Sequence, residues 1–453
     1  MRKHLLFYMS ILFMACTNEV NEVVISTPLP NDNHLLTETE AIKTLDAFIS
    51  SMPQTRTPAT IEVISCQKKK ASDYANDNKA TTRWGTSNVD IDAVPVYEIE
   101  TSSEEGHGFG LVLGDKRFSE VIAFTPKGAL ADTTFNKGLA TFMATIPMII
   151  YESLIAEENF KEALLTTRSD YWQPENIGAY ITEDTPSKTV HFSSYDAAKA
   201  VYPDYYGTWD EFDTPSRYVP VKWHQNAPYN NKTPIAPCTG TNYKVGCGAV
   251  AIAQIMAYHQ YPPQYNWAPI TASQQISPSQ TTAANAVSQL LIDVARAANT
   301  RFQCKNDGSG DTAGATYVTD YSPAFSSLGY TAHWLLSGAG YVSSQLVREG
   351  LINCGPVLMA ASNHTLNGVP GNGGHAWVVD AFYKKSRNYY LTTYGYTSTG
   401  EYAYVDIYRQ HFIALHCNWG WGGSSDGWYY SFMPVNEKYK FSNFSLWSVK
   451  PNR

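Results

Sequence analysis

The sequence predicts an α+β fold in two units, a small one ending near residue 165 and a larger one over residues 216–453. Three observations predict it. One apolar stretch has helical period: Ile252, Ile255, Met256 and His259 fall at i, i+3, i+4 and i+7. Short runs on either side of it alternate as strands do, such as Val96–Glu100 and Phe109–Leu113. Between the units, residues 155–215 are rich in Asp, Glu, Pro, Ser and Tyr, with weak periodicity.

Composition narrows the function classes. At 453 residues, 43% hydrophobic and 16% charged, the chain has room for two or three domains and a large core. Its net charge of −8, with no basic cluster, argues against a nucleic-acid surface. Seven cysteines without CxxC spacing do not make a disulfide scaffold. HExxH, the P-loop and a strand–GxGxxG–helix run are missing from the sequence, so no metal or nucleotide cofactor is expected.

Residues 1–15 read as an export signal, with Arg2, Lys3 and His4 ahead of the apolar run Leu5–Ala15. That run is too short to span a bilayer. Phe13-Met14-Ala15-Cys16 resembles a bacterial lipobox, apart from Phe13 where leucine is usual. The resemblance implies lipidation of Cys16 and placement at the outer membrane or cell surface, with release of a mature form open. Signal-peptidase cleavage with a soluble product is the alternative.

Residues 16–165 form the small unit with its tether. Residues 17–38 are polar and proline-spotted. Ala41, Leu45, Phe48 and Ile49 mark an amphipathic helix, and strands follow from Ile61, with a turn at Gly114-Asp115-Lys116-Arg117. Phe142–Leu154, interrupted by Pro147, reads as a core helix or strand edge. This unit has no nucleophile–base pair. Residues 166–215 are a connector.

The chemistry lies in residues 216–453. Gly246 allows a tight entry to the helix, Ala249, Ala251, Ala253 and Ala257 keep it thin, and Tyr261-Pro262-Pro263 stops it. Cys247 therefore sits at its N-terminus, where backbone N–H groups and the macrodipole favour a thiolate. Alone, this stretch fits an apolar core cysteine as well as a nucleophile. A cysteine peptidase also needs an imidazole, a group to orient it and donors for the oxyanion. His375 follows Gly371-Asn372-Gly373-Gly374 and opens the apolar strand Ala376–Val379, 128 residues beyond Cys247. Asn418 is the candidate to fix the imidazole tautomer, with Trp419 shielding that bond. Gln225, 22 residues ahead of Cys247, is the candidate second oxyanion donor.

These motifs resemble streptopain and its relatives. The resemblance rests on Gly246-Cys247 with Ala253-Gln254-Ile255-Met256, Tyr258-His259 and Tyr261-Pro262, and on Gly373-Gly374-His375-Ala376 with Val379-Asp380. His416 with Asn418-Trp419-Gly420-Trp421-Gly422-Gly423, the segment Gln225 to Asn230, and Phe441–Pro451 extend it. Gly114–Arg117 with Val121-Ile122 is similar to the family's prodomain, so the resemblance covers most of the chain from about residue 40.

It implies a papain-like two-lobed peptidase domain, with the nucleophile on a helix and the histidine on an antiparallel sheet, behind a small α+β prodomain. It also implies a secreted zymogen that hydrolyses peptide bonds in protein or peptide substrates and is inhibited by its own prodomain. Cys247 maps to the nucleophile, His375 to the base, Gln225 to the oxyanion donor, and Asn418 with Trp419 to the orienting pair. Neighbouring His⁺ and the helix end can lower such a thiol from about 8.5 to roughly 4. Activation implies a processing bond in or near the connector.

The sequence departs from the pattern in places. Gly248-Ala249-Val250 replaces the usual residues after the cysteine, and Ala381 stands where glycine is frequent. His375 and Asn418 are 43 residues apart, longer than the family hairpin, and the excess, Lys384–Gln410, reads as an inserted strand pair. Cys238, Cys304, Cys354 and Cys417 have no family role; Cys304 and Cys354 are candidates for a bridge, and Cys417 for the core. Two rival functions stay open: a catalytically inert surface binding lipoprotein on a peptidase fold, and an amidase or acyl transferase using the same thiol.

Overall fold

The structure, a computed structural model, describes residues 34–52, 60–74, 89–118, 121–134, 136–165, 187–202, 207–305, 311–336, 344–364, 370–397, 400–430 and 445–453. The signal, Cys16 and residues 166–186 of the connector lie outside them.

Helix α1 (Glu38–Ser51) starts on a capping box: the Thr37 hydroxyl accepts the Glu40 N–H, and the Glu40 carboxylate accepts the Thr37 N–H. Its Ala41, Leu45 and Phe48 are buried, as the periodicity predicts. Strands β1 (Glu62–Lys69), β2 (Val96–Ser103), β3 (Gly106–Leu113) and β4 (Val121–Thr125) pair antiparallel in that order. Helix α2 (Lys137–Leu165) runs through Pro147 and settles the helix-or-strand alternative for that stretch. The connector supplies β5 (Lys188–Phe192), α3 (Tyr195–Val201) and β6 (Glu211–Asp213).

Helix α4 (Cys247–His259) is buried from Gly248 to Ala257, because its alanines admit neighbours on every side. There follow α5 (Trp267–Thr271), α6 (Thr281–Ala297), β7 (Arg301–Cys304), β8 (Thr312–Ala315), α7 (Tyr321–Ser327), β9 (Tyr330–Leu336) and α8 (Ser344–Asn353). The chain closes with β10 (Val357–His364), β11 (Pro370–Thr397), β12 (Gly400–Asn418), β13 (Gly427–Tyr430) and β14 (Ser445–Pro451).

One 12-stranded sheet runs β1-β2-β3-β4-β13-β12-β11-β10-β14-β9, with β5 added to β12 and β6 to β11. The N-terminal strands join the rest where Phe124 and Ala123 lie opposite Trp428 and Tyr429. Period-2 alternation divides the neighbours of β10, β11 and β14. Ala360, Ala376, Val378 and Trp447 pack with α4 and α6, whereas Met359, Trp377, Val379 and Leu446 pack with Ile146, Ile149 and Ile150 of α2. The expected strand pair at Lys384–Gln410 is present: β11 and β12 continue in register from Tyr383↔Ala414 to Thr397↔Gly400 as a long arm. Among the described helices, none is long and apolar enough to cross a membrane.

The cysteine pairing differs from expectation. Cys304 bridges Cys238, with Cα atoms 6.2 Å apart, and Cys354 is a free thiol. Tyr243 stacks on Phe302 at 5.7 Å, which brings the loop carrying Cys238 against β7. Cys417 is buried, as expected of a core residue.

Candidate active site

Cys247 opens α4 directly after Gly246, whose φ of 98° favours glycine. A Cβ on Gly246 would also stand 2.6 Å from the Gly314 carbonyl oxygen, so the residue is needed twice over. Cys247 packs against the core cluster that includes Ala376 of β11, and the backbone N–H groups of Ala376, Gly248 and Cys247 itself favour its thiolate form. Fold topology thus brings the helix tip to the residue beside His375.

The His375 ring leaves β11 on the α2 side. Its Nε2 lies 2.9 Å from the carbonyl oxygen of Trp419. Trp377 and Trp421 lie nearly parallel to it, each at 6.1 Å, and Trp419 is tilted at 6.2 Å. These indoles lie round the buried ring; the Asn418–imidazole bond that Trp419 was expected to shield is not formed, and only the local density of tryptophan signals Trp377 and Trp421 in the sequence.

Asn418 does not hold the imidazole in the way the sequence predicts. Its Oδ1 accepts from Gln254 Nε2 at 3.0 Å and from the Gly420 N–H at 3.2 Å, and its Nδ2 donates to the Val221 carbonyl at 3.1 Å. The reason is geometric. Asn418 ends β12 opposite Val378, a residue facing α4, so its side chain reaches Gln254 of that helix. The imidazole partner is the next residue's carbonyl. The Trp419 N–H is in turn fixed by Asp426 Oδ1 at 2.8 Å. Gln254 and Asp426 are site residues that the sequence reading missed. Gln254 had a signal, as the one polar side chain between Gly248 and Ala257 of the helix.

Gln225 is buried, and its carbonyl accepts the Val245 N–H at 3.1 Å, two residues before Cys247. The N-terminal unit reaches the same place. Gly138, in the first turn of α2, lies so close that a Cβ there would stand 2.2 Å from Trp419 and 2.9 Å from His375. Asp132 accepts hydrogen bonds from Ser424 (2.5 Å) and Ser425 (3.1 Å), and Glu105 pairs with Lys222 at 3.1 Å.

Burial sets the protonation states. Burial pushes the Cys247 thiol above its ordinary range, and the three N–H groups offset this only in part. Part of the residue still meets solvent, but protein packs round the sulfur. Burial lowers His375 to about 4, against a smaller raising effect of the Trp419 carbonyl. The expected lowering of the thiol is therefore reversed in this covered state. Asp426 is pushed up to about 6, chiefly by burial.

Residues 223–265 and 263–429 match the Peptidase C10 family. Thiol protease/hemagglutinin PrtT of Porphyromonas gingivalis is 26% identical over 238 residues, 47% of this chain and 23% of that protein. Streptopain of Streptococcus pyogenes serotype M1 is 23% identical over 378 residues, 74% of this chain and 72% of streptopain. This chain therefore spans less than a quarter of PrtT but most of streptopain. The family match covers residues 223–429 and the streptopain similarity most of the length, so this chain is similar to the streptopain family of cysteine peptidases.

Proposed function

We propose that this protein is the zymogen of an exported cysteine endopeptidase, with Cys247 as nucleophile and His375 as base. The observation that carries this is the packing of Cys247, at the tip of α4, against the core cluster that contains Ala376, one residue from His375. In this reading residues 216–453 form a papain-like domain, with α4 and α6 in one lobe and the His375 sheet in the other. Residues 16–165 are the prodomain, and Gly138 marks where it covers His375 and Trp419. Export through residues 1–15, with lipidation at Cys16 and anchorage at the outer membrane or cell surface, rests on the sequence pattern.

Chemistry follows from uncovering. Without α2 over it, the imidazole regains water, rises toward its ordinary range and takes the thiol proton. The thiolate sulfur attacks the scissile carbonyl carbon, and the C=O π pair moves onto oxygen. The Cys247 N–H and the Gln225 amide stabilise that oxyanion. On collapse, the C–N bond breaks and the imidazolium gives its proton to the leaving amine. Water, deprotonated by His375, then hydrolyses the thioester and restores the thiol. The Trp419 carbonyl, bound to Nε2, orients the ring and stabilises its charged form.

Cys247→Ala tests the reading. Purified full-length Cys247→Ala protein is expected to lose both self-processing and casein hydrolysis. Retention of either overturns the proposal.

A further inference from the structure

We infer that connector residues 187–202 and 207–215 stay with the peptidase domain after activation, as a collar along both edges of the β11–β12 arm that runs on into Ser216–Val219; the inference rests on the zymogen reading above. On the β12 edge, the Ser187 N–H and hydroxyl both donate to the Ile407 carbonyl at 2.8 Å, and β5 continues the pairing from Lys188↔Ile407 to Phe192↔Ala403. On the β11 edge the chain runs antiparallel through a longer ladder. Gly207 N–H donates to Asn388, Asp210 N–H to Ser386, and β6 pairs Glu211–Asp213 with Ser386–Lys384. Then Phe382 N–H donates to Pro215, Ser216 bridges Ala381, and Arg217 N–H donates to Asp380. Val219 N–H ends the run on the Asp380 carboxylate at 2.9 Å.

Side chains lock both ladders. Ala198 is buried with Ala403, Val405 and Ile407 in a small core completed by Phe192, Tyr202, Tyr390 and Tyr394. Among the described residues, that core contains residues of the connector and of the arm only. A bare two-stranded ribbon is marginal in water, so the arm owes its order to the collar. On the other side, Arg409 pairs with Asp210 at 2.9 Å, and Arg348 pairs with Asp213. Lys385 Nζ stands 4.3 Å from the Trp209 ring.

A peptidase needs its substrate chain extended and free, so cutting inside either ladder first requires peeling strands from the sheet. A cut inside either ladder is therefore disfavoured, whereas a cut ahead of Ser187 leaves both ladders whole, and the arm keeps its collar.

Two measurements test this. N-terminal sequencing of the active enzyme should give a first residue at or before Ser187. A first residue after Ser187 overturns the inference. Independently of activity, full-length Cys247→Ala protein is treated with trace trypsin. The bonds after Lys188 and Arg217 should survive until the protein unfolds, and early cleavage at either overturns the collar. Val405→Asp, which places a charge in the small core, should speed cleavage after Lys188 at least tenfold while sparing Arg217. No change in that rate would equally overturn the role given to the core. If the protein proves to lack peptidase activity, the zymogen reading fails and the trypsin result still decides the collar.

Discussion

The His375 imidazole is held by the backbone carbonyl of Trp419 at 2.9 Å and, among the described residues, by no side-chain hydrogen bond. A carbonyl is only as well placed as the turn that carries it. Here Asn418 clamps the turn to Val221 and to Gln254 of the nucleophile's own helix, and Asp426 clamps the Trp419 N–H. The helix bearing the sulfur and the turn aiming the ring are thereby one hydrogen-bonded unit.

Asn418→Ala strips partners from Gln254, Gly420 and Val221 at a buried site, at about 1–3 kcal/mol for each group left unsatisfied. We expect kcat to fall roughly 10- to 100-fold, with KM changed less. Asn418→Asp should fare no better, because it turns a carboxylate oxygen toward the Val221 carbonyl. An Asn418→Asp enzyme near full kcat would mean that residue 418 orients the imidazole directly.

Gly138→Val should uncouple the cover. The new side chain has no room: its Cβ would stand 2.2 Å from Trp419. Helix α2 must lift away from the site or the fold must strain. We expect the unprocessed variant to hydrolyse a small fluorogenic peptide at least tenfold faster than the unprocessed parent, with a lower Tm. An equally silent variant would place the block elsewhere than at this helix.

Much of this site was legible in the sequence, for physical reasons. Cys247 stood out because a glycine entry, thin alanines and a proline stop define one helix and its tip. His375 stood out because a glycine run gives way there to an apolar run, although the strand itself already begins at Pro370. The Lys384–Gln410 arm was legible from an excess of spacing, since antiparallel strands can lengthen together without disturbing their base. Asn418 was misassigned in its contacts because the strand ending decides which side a residue faces, and that parity depends on the shift between Val379 and Ala381 in the β11–β12 register. The Cys238–Cys304 bridge was not legible, because the Tyr243–Phe302 stacking that brings its ends together is a tertiary contact. The reversal of the thiol's expected protonation arises from burial against the core around α4, which the helix tip alone does not announce.

Acid should weaken the covered state through His375. Its value of about 4 in the folded chain lies below the ordinary 6.5, so between those pH values the unfolded chain binds more protons. The stability contributed by the neutral ring is complete above about 6.5 and is lost as pH falls toward 4, by at most about 3 kcal/mol. Asp426 acts in the opposite sense. Raised from 3.8 to about 6, it binds a proton in the folded chain first and favours folding as pH falls across that window. A comparison of variants isolates the histidine. Between pH 7 and pH 5, the Tm of Cys247→Ala protein should drop more than that of Cys247→Ala with His375→Gln. Parallel curves would show that His375 does not titrate with folding.

Removing the Cys238–Cys304 bridge should destabilise the domain without touching the chemistry. The bridge closes a loop spanning 66 residues of sequence that contains Cys247 and all of α4. Loop-closure entropy puts its contribution at about 4 kcal/mol. Near the thiol the chain has other fastenings: the Lys244 N–H donates to the Thr312 hydroxyl at 3.1 Å, and Gly246 packs against Gly314. Those contacts hold the helix entry when the bridge is gone. Cys238→Ser with Cys304→Ser is therefore expected to lower the denaturation midpoint clearly while leaving kcat/KM at 25 °C within about threefold, a change under 1 kcal/mol in barrier. A large fall in kcat/KM in the still-folded variant would mean that the bridge, rather than the β8 contacts, sets the position of the sulfur.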